Sequence, residues 1–199
     1  IAQALSAFKR LIAVAPEARL ILVGEAHPEF PVGKMIQQLG LGAHAQHIDF
    51  APLDEFNAYL AACDIVLNLR YPTVGETSGT LLRALGLGKA VVVSNVGAFA
   101  EYPDEIVLKA PVDSSEEEHL YGYLNLLVSR PEVCRSLGAR AKAWVDKECN
   151  WQKVGEQYRD FLEEVLHPKA APPKAAEPPQ QEAPPQAQEI EPGYVTSWA

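Results

Sequence analysis

Cysteine is scarce. Only Cys63, Cys134 and Cys149 occur in 199 residues, far apart and without CxxC spacing, which excludes a zinc-finger pattern and a disulfide framework. Reduced, mostly buried thiols and a cytoplasmic setting are the expectation. The five histidines (His27, His44, His47, His119, His167) are scattered with no H-E-x-x-H pattern, so no metal is expected. Basic charge is in deficit too: 17 Lys and Arg against 26 Asp and Glu leave a net charge of −9 and no basic stripe. That balance excludes a general attraction to nucleic acid phosphates. Long apolar runs are missing as well. Leu20 to Gly24 and Ala90 to Val93 fall far short of the roughly 20 residues that cross a bilayer, so no transmembrane segment is expected. There is no initiator methionine and no basic-then-apolar leader, and the chain opens inside a helical pattern. A truncated N-terminus is the expectation.

What is present suffices for one globular core, with 48% hydrophobic and 22% charged residues. Composition changes after Leu166. The stretch from His167 to Ala199 holds 8 of the 16 prolines, several as Pro-Pro pairs, with much Ala, Gln and Glu. Such a stretch favours an extended, disordered chain. The division is therefore a folded lobe over 1–166 and a disordered linker or tail over 167–199. The tail's last residues, Tyr194-Val-Thr-Ser-Trp-Ala199, regain aromatic and β-branched types, leaving open both a further domain beyond it and a plain terminus.

Within the lobe, apolar residues at Ile1, Leu5, Phe8, Ile12 and Ala15 line one face of a helix that Pro16 ends. Arg19 to Gly24 is a continuous apolar run stopping at glycine, the pattern of a parallel strand buried on both faces. The alternation continues with a helix over Val32 to Leu41, a strand over His47 to Phe50, a helix over Asp54 to Ala62 with Asp54 as N-cap, and a strand over Asp64 to Leu69. A helix over Ser78 to Leu87 follows, then strands over Ala90 to Ser94 and Glu105 to Lys109, and three helices at about 115–129, 131–147 and 151–166. Strands alternating with helices predict right-handed βαβ crossovers and an open, parallel, doubly wound (Rossmann-like) α/β sheet. Ligands bind at the carboxyl ends of such strands. A lobe of this kind ordinarily begins with a strand, so its first strand is expected upstream.

The most informative segment is Asn68 to Gly88, where a polar loop carrying Arg70, Glu76, Thr77, Ser78, Gly79 and Thr80 leaves a strand and enters a helix. Unpaired N–H groups and the helix dipole at such an entrance suit a phosphate, and Gly79 permits close approach. Thr77 or Ser78 equally suits an ordinary N-cap, and the residues alone leave both open.

Glu76-Thr-Ser-Gly79-Thr ahead of a helix, then Gly88-Lys-Ala-Val-Val-Val-Ser94 and Gly97, resembles the C-terminal lobe of the family 4 retaining glycosyltransferases, of GT-B fold. Other segments agree in order: Leu20-Ile-Leu-Val-Gly24; Ile48-Asp-Phe50 with Asp54-Glu-Phe and Ala62-Cys-Asp64; and Ser129-Arg-Pro-Glu-Val, Ser136-Leu-Gly-Ala-Arg-Ala, Asn150-Trp151 and Tyr158 near the end. The resemblance covers about residues 1 to 166. It implies the donor-binding half of an enzyme moving a hexosyl group from a nucleotide sugar to an acceptor held by an absent N-terminal lobe. Glu76 is the implied catalytic residue, beside the sugar and stabilising the cationic anomeric centre. The N–H groups from Ser78 to Thr80 would hold the diphosphate without a metal. Phe50 and Ala51 would border the base through the backbone, and Gly24 and Glu25 would line the cleft. Family analogy extends to polysaccharide biosynthesis, and to peripheral membrane attachment through the missing lobe.

One departure from the pattern is informative. Arg83 stands nearest to where the family has a second Glu that holds the ribose hydroxyls, and Arg cannot accept a hydrogen bond. Arg83 therefore serves a phosphate or carboxylate, or pairs with a neighbouring acid, or ribose recognition is rerouted. Arg70 is a further phosphate candidate, although a solvated loop residue is the commoner role for such an arginine. The competing classes are a non-catalytic flavodoxin-like scaffold domain and a nucleotide-sugar epimerase lobe. The epimerase needs an acid and base pair that the scattered histidines do not supply.

Overall fold

The structure is a computed structural model that describes residues 1–27 and 30–167. The Pro-rich stretch read as a linker, and any domain after it, lie outside the described residues, apart from His167. The chain divides into two units, 1–155 and 156 onward. In order, the elements are α1 (Ala2–Ile12), β1 (Leu20–Val23), α2 (Val32–Gln38), β2 (Ala45–Ile48), α3 (Leu53–Ala62), β3 (Ile65–Asn68), α4 (Gly79–Gly86) and β4 (Ala90–Ser94). A 3-10 turn (Gly97–Glu101), β5 (Leu108–Ala110), α5 (Glu116–Ser129), α6 (Pro131–Glu148) and α7 (Trp151–Leu166) complete them. This is the parallel, doubly wound α/β architecture that the alternation of patterns predicts.

Among the described residues all strand pairs are parallel, in two hydrogen-bonded ladders: β1–β2, running from Leu20↔Ala45 to Val23↔Ile48, and β3–β4–β5, with Ile65↔Ala90 and Val92↔Leu108. Helices cover both faces. Because successive side chains on a strand point to opposite sides, Val92 joins one core cluster while Val91 and Val93 join another. The first cluster draws on Leu5, Phe8 and Leu11 of α1, Ile36 of α2 and Leu120 of α5. The second draws on Leu81 and Leu85 of α4, Leu60 of α3 and Ala141 of α6, closed by Phe99 of the 3-10 turn. The buried positions of α1 (Ala4, Leu5, Ala7, Phe8, Leu11) fall at three- and four-residue spacing, so a single face enters the core.

Several boundaries differ from those the sequence suggests. Helix α1 ends at Ile12, before Ala15 and Pro16, in a turn where Val14 and Ala15 donate to the Leu11 carbonyl. Strand β2 lies two residues upstream of His47 to Phe50, because pairing with β1 sets its register, and Phe50 falls in the following loop. Helix α3 starts at Leu53 with Pro52 as its N-cap. Asp54 is therefore not the cap but a first-turn acid that, with Glu55, complements the positive helix end. Strand β5 is shorter and later than Glu105 to Lys109. Ile106 and Val107 are buried but lie ahead of the ladder, a distinction an apolar run cannot make. Strand β1 is not buried on both faces: Ile21 is 46% exposed and none of its four residues is fully covered. The cysteines are free, with Cys149 exposed and Cys63 and Cys134 half-buried, so they are less covered than expected.

Helix α6 packs closely on the α4–β4 turn. Gly88 has φ +70°, and a Cβ placed on Gly138 would lie 1.9 Å from the Gly88 carbonyl oxygen. Both positions thus need glycine, one for its dihedral and one for the approach of two backbones. Among the described residues, no helix is long and apolar enough to cross a membrane.

Candidate functional site

The loop from Arg70 to Ser78 is tied down at both ends. At its start, the Arg70 amide donates to Ser94 Oγ (2.9 Å), fixing the loop to the carboxyl end of β4. At its end, Ser78 Oγ donates to Asn68 Oδ1 (3.3 Å) and accepts from the Leu81 amide (3.2 Å). Ser78 is buried and is the N-cap of α4. Its hydroxyl is therefore committed to the helix entrance, which resolves the choice left open between cap and ligand donor for that side chain. Thr77 makes no cap bond, and its side chain is exposed.

Between the anchors, the loop is stiffened from within. Glu76 Oε2 accepts from Thr73 Oγ1 (2.8 Å) and from the Val74 amide (2.9 Å), and the Gly75 amide donates to Thr73 Oγ1 (3.2 Å). Gly97, at φ +54°, lies so near Thr73 that a Cβ there would sit 2.9 Å from Thr73 Cγ2, which packs the turn after β4 against the loop. The Thr73 hydroxyl above all, then the backbone amides of Glu76 and Val74, hold the Glu76 carboxyl below the usual carboxylate range, and Arg70 adds attraction. Glu76 is consequently an anion at neutral pH, with Oε1 left without a partner.

The loop is open to solvent, since Tyr71, Val74, Gly75, Thr77 and Gly79 are all exposed. The N–H groups of Gly79 and Thr80, the first of α4, have no hydrogen-bond partner, as a helix start requires unless something caps them. Arg83 lies one turn further along α4, and its Nη1 is 3.0 Å from where a Cβ on Gly79 would be. The entrance to α4 therefore presents amide donors and a guanidinium on one side of the loop and a carboxylate within it. Such an arrangement can hold an anion and orient hydroxyl groups.

The other site candidates lie on the β1–β2 ladder. Gly24 turns the chain out of β1 at φ +135°, its amide donating to the Ile48 carbonyl and its own carbonyl lying 2.8 Å from His47 Nε2. Glu25 is exposed, and Phe50 is 80% exposed beside a half-buried Ala51. No hydrogen bond or ion pair links Gly24, Glu25, Phe50 or Ala51 to the loop of Glu76. The structure thus gathers Arg70, Glu76, Thr77, Ser78, Gly79, Thr80 and Arg83 around one helix entrance and leaves the remaining four candidates on separate turns. A shallow open depression of about 320 Å³ on α5 is lined by Glu118, His119, Gly122 and Tyr123 and includes none of these candidates. Among the described residues, no three His, Cys, Asp or Glu side chains are grouped to hold a metal ion.

Sequence reading missed Asn68, Ser94 and Thr73. The first two are buried polar residues at the ends of adjacent apolar strands, and they anchor the loop from below. A polar residue closing an otherwise apolar strand was their signal. Thr73 carried none, because its role depends on how the loop folds back.

Comparison with known proteins bears on the family and the fold. Residues 1–144 match the family model described as glycosyl transferases group 1. An uncharacterized glycosyltransferase of Methanocaldococcus jannaschii is 29% identical over 115 residues, which is 55% of this chain and 28% of that protein. Among solved structures, Anabaena HepE in complex with UDP-glucose superposes with a TM-score of 0.68 at 19% identity, covering 80% of this chain and 44% of that one. Sucrose-phosphate synthase from Thermosynechococcus elongatus gives 0.64 at 20% identity, covering 82% and 42%. The C-terminal domain of the group 1 glycosyl transferase LpcC from Francisella tularensis gives 0.63 at 21%, covering 75% and 79%. The fold is that of one GT-B lobe, and the chain spans less than half the length of the first two of these structures.

Proposed function

The chain belongs to the group 1 glycosyl transferase family, and from that premise we propose that it is the donor-binding lobe of a retaining, family 4 hexosyltransferase. Its substrate in this reading is a nucleotide diphosphate sugar, and the observation that carries it is the entrance to α4. There the unpaired amides of Gly79 and Thr80 stand beside an ionised Glu76 whose Oε1 is unengaged. A diphosphate leaving the anomeric carbon gains negative charge and is favoured by the positive helix end, while a carboxylate favours the cationic sugar it leaves behind. Thr73 and Val74 hold Glu76 in place, so little reorganisation accompanies the reaction. The donors at the helix start supply the neutralisation a metal would otherwise give, and no metal requirement is expected.

In the same reading, Phe50 and Ala51 flank the base and Gly24 and Glu25 line the cleft. HepE, of the same fold, is solved with UDP-glucose, which makes uridine nucleotides the first to try. Acceptor binding belongs to an upstream lobe, the setting is cytoplasmic with peripheral membrane contact through that lobe, and polysaccharide assembly is the proposed context. The upstream segment also supplies a strand between β1 and β3. Leu20 and Leu22 of β1 share a core cluster with Ile65 and Leu67 of β3, under α1, yet the two strands are unpaired. The Leu20 and Gly24 amides point to β2, so by alternation the backbone of Ile21 and Val23 faces the open edge.

Calorimetric titration of this chain with UDP-, GDP- and ADP-sugars is expected to give weak binding to one of them and no turnover. Absence of heat with all three rejects the donor-site reading. In the intact enzyme, Glu76→Ala is expected to lower kcat on the order of 100-fold, the scale seen when one transition-state contact is removed. Near-normal turnover rejects the catalytic role.

A further inference from the structure

We infer that Arg83 is the diphosphate-binding cation of this site, so that the nucleotide is recognised at the α4 entrance by its phosphates and not by an acid on its ribose hydroxyls. This rests on reading that entrance as the donor site. Arg83 lies four residues after Gly79, and helical side chains lean back toward the N-terminus. Its Nη1 accordingly lies 3.0 Å from the Cβ position of Gly79, against the first residue of the helix. That is an unfavourable place for a lone cation, because the helix dipole puts positive charge there. An acid partner would relieve the repulsion, but none is present: Arg83 makes no ion pair or side-chain hydrogen bond, and the cation that acts on Glu76 is Arg70.

A second, independent observation points the same way. Asn68 is 4% exposed, and its Nδ2 has no partner, while its Oδ1 accepts from the Ser78 hydroxyl that caps the same helix. A buried amide donor left unpaired is costly and uncommon. The helix entrance thus collects unsatisfied donors: the Gly79 and Thr80 amides, the Arg83 guanidinium and, within one amide's width of the cap, Asn68 Nδ2. The free carboxylate oxygen near this entrance, Glu76 Oε1, is the one given to the donor sugar in the donor-site reading, and Arg83, with five donors and no acceptor, supplies no second one. A ribose diol, which donates two hydrogen bonds to a carboxylate, finds no match here. A diphosphate, with several acceptor oxygens and negative charge, matches the two exposed amides and the guanidinium, and the planar guanidinium suits two of its oxygens at once.

The test is equilibrium binding to this chain, measured for wild type, Arg83→Ala and Arg83→Lys, with UDP, 2′-deoxy-UDP and uridine, and with the corresponding guanosine and adenosine series. Arg83 is exposed, and circular dichroism checks that each variant is folded. Arg83→Ala is expected to weaken the diphosphate about tenfold or more, with partial recovery in Arg83→Lys, as loss of a charged hydrogen bond predicts. The loss should shrink as salt is raised, because the interaction is partly screened. Ribose and 2′-deoxyribose forms should bind within about threefold of each other, since no charged contact to the hydroxyl is lost. Diphosphate binding unchanged in Arg83→Ala, or a large preference for ribose that survives that substitution, overturns the inference while leaving the donor-site reading intact. No binding of any diphosphate to wild type overturns both.

Discussion

Strands β1 and β4 read alike in sequence, as Leu-Ile-Leu-Val and Ala-Val-Val-Val-Ser, yet they occupy different environments. Every residue of β4 is buried, whereas none of β1 is fully covered and Ile21 is exposed. The difference is one of neighbours. β4 is paired on both edges and covered on both faces by helices, while β1 is paired on one edge only. An apolar run therefore states a capacity for burial, and the sheet around it decides how much is used. The polar loop that carries the candidate site belongs to the better-packed side. Its anchors, Asn68 and Ser94, sit on paired strands, so Glu76 and the α4 entrance rest on the rigid part of the lobe.

The largest effect should come from disturbing the packed side. Gly138→Ala forces a methyl group into the Gly88 backbone, where no rotamer relieves the clash, and is expected to cost about 3 kcal/mol or more. Urea denaturation measures it, and a loss under about 1 kcal/mol would mean that α6 shifts freely and that the contrast between the two sides is overstated. A smaller effect is expected from Ile21→Ala in this chain, about 1 kcal/mol or less, because the side chain is half in solvent. If the same substitution costs about twice that or more when the natural upstream residues are present, the open edge of β1 is filled by them. Slowed amide exchange at Ile21 and Val23 would accompany it.

The smallest effect concerns acid pH and the loop itself. Glu76 has its carboxyl held below the usual range in the folded state, so its ionised form favours folding. That contribution is complete above the ordinary Glu pKa of about 4.3 and is lost as the pH falls below it through the folded-state value. Comparing wild type with Glu76→Gln in urea unfolding at neutral pH and at about pH 3.5 isolates it. The two proteins should differ at neutral pH and converge in acid. An unchanging difference would mean that the Thr73 and Val74 contacts do not depend on the charge.

Much of this lobe is local information. The 3.6-residue spacing of α1, the glycine stops after strands, and the loop of Glu76 to Thr80 ahead of α4 follow from residue type and order, because helix faces, turns and caps involve residues a few places apart. Even so, the carboxyl-end boundary of β2 moved by two residues and Asp54 proved not to be a cap, since strand register and helix starts respond to partners far along the chain. Asn68 and Ser94 were legible only as polar ends of apolar strands, and their role needed the loop to lie above them.

The amino-acid sequence alone determined the class of this protein, a parallel α/β lobe with a polar loop entering a helix, because periodicity and turn chemistry act over short range. Tertiary structure decided which apolar strand is buried, that Ser78 faces Asn68, that Glu76 bonds its own loop, and that Arg83 lies unpaired over Gly79. Those outcomes depend on which groups meet across the fold and which are left without a partner, and sequence order does not specify either.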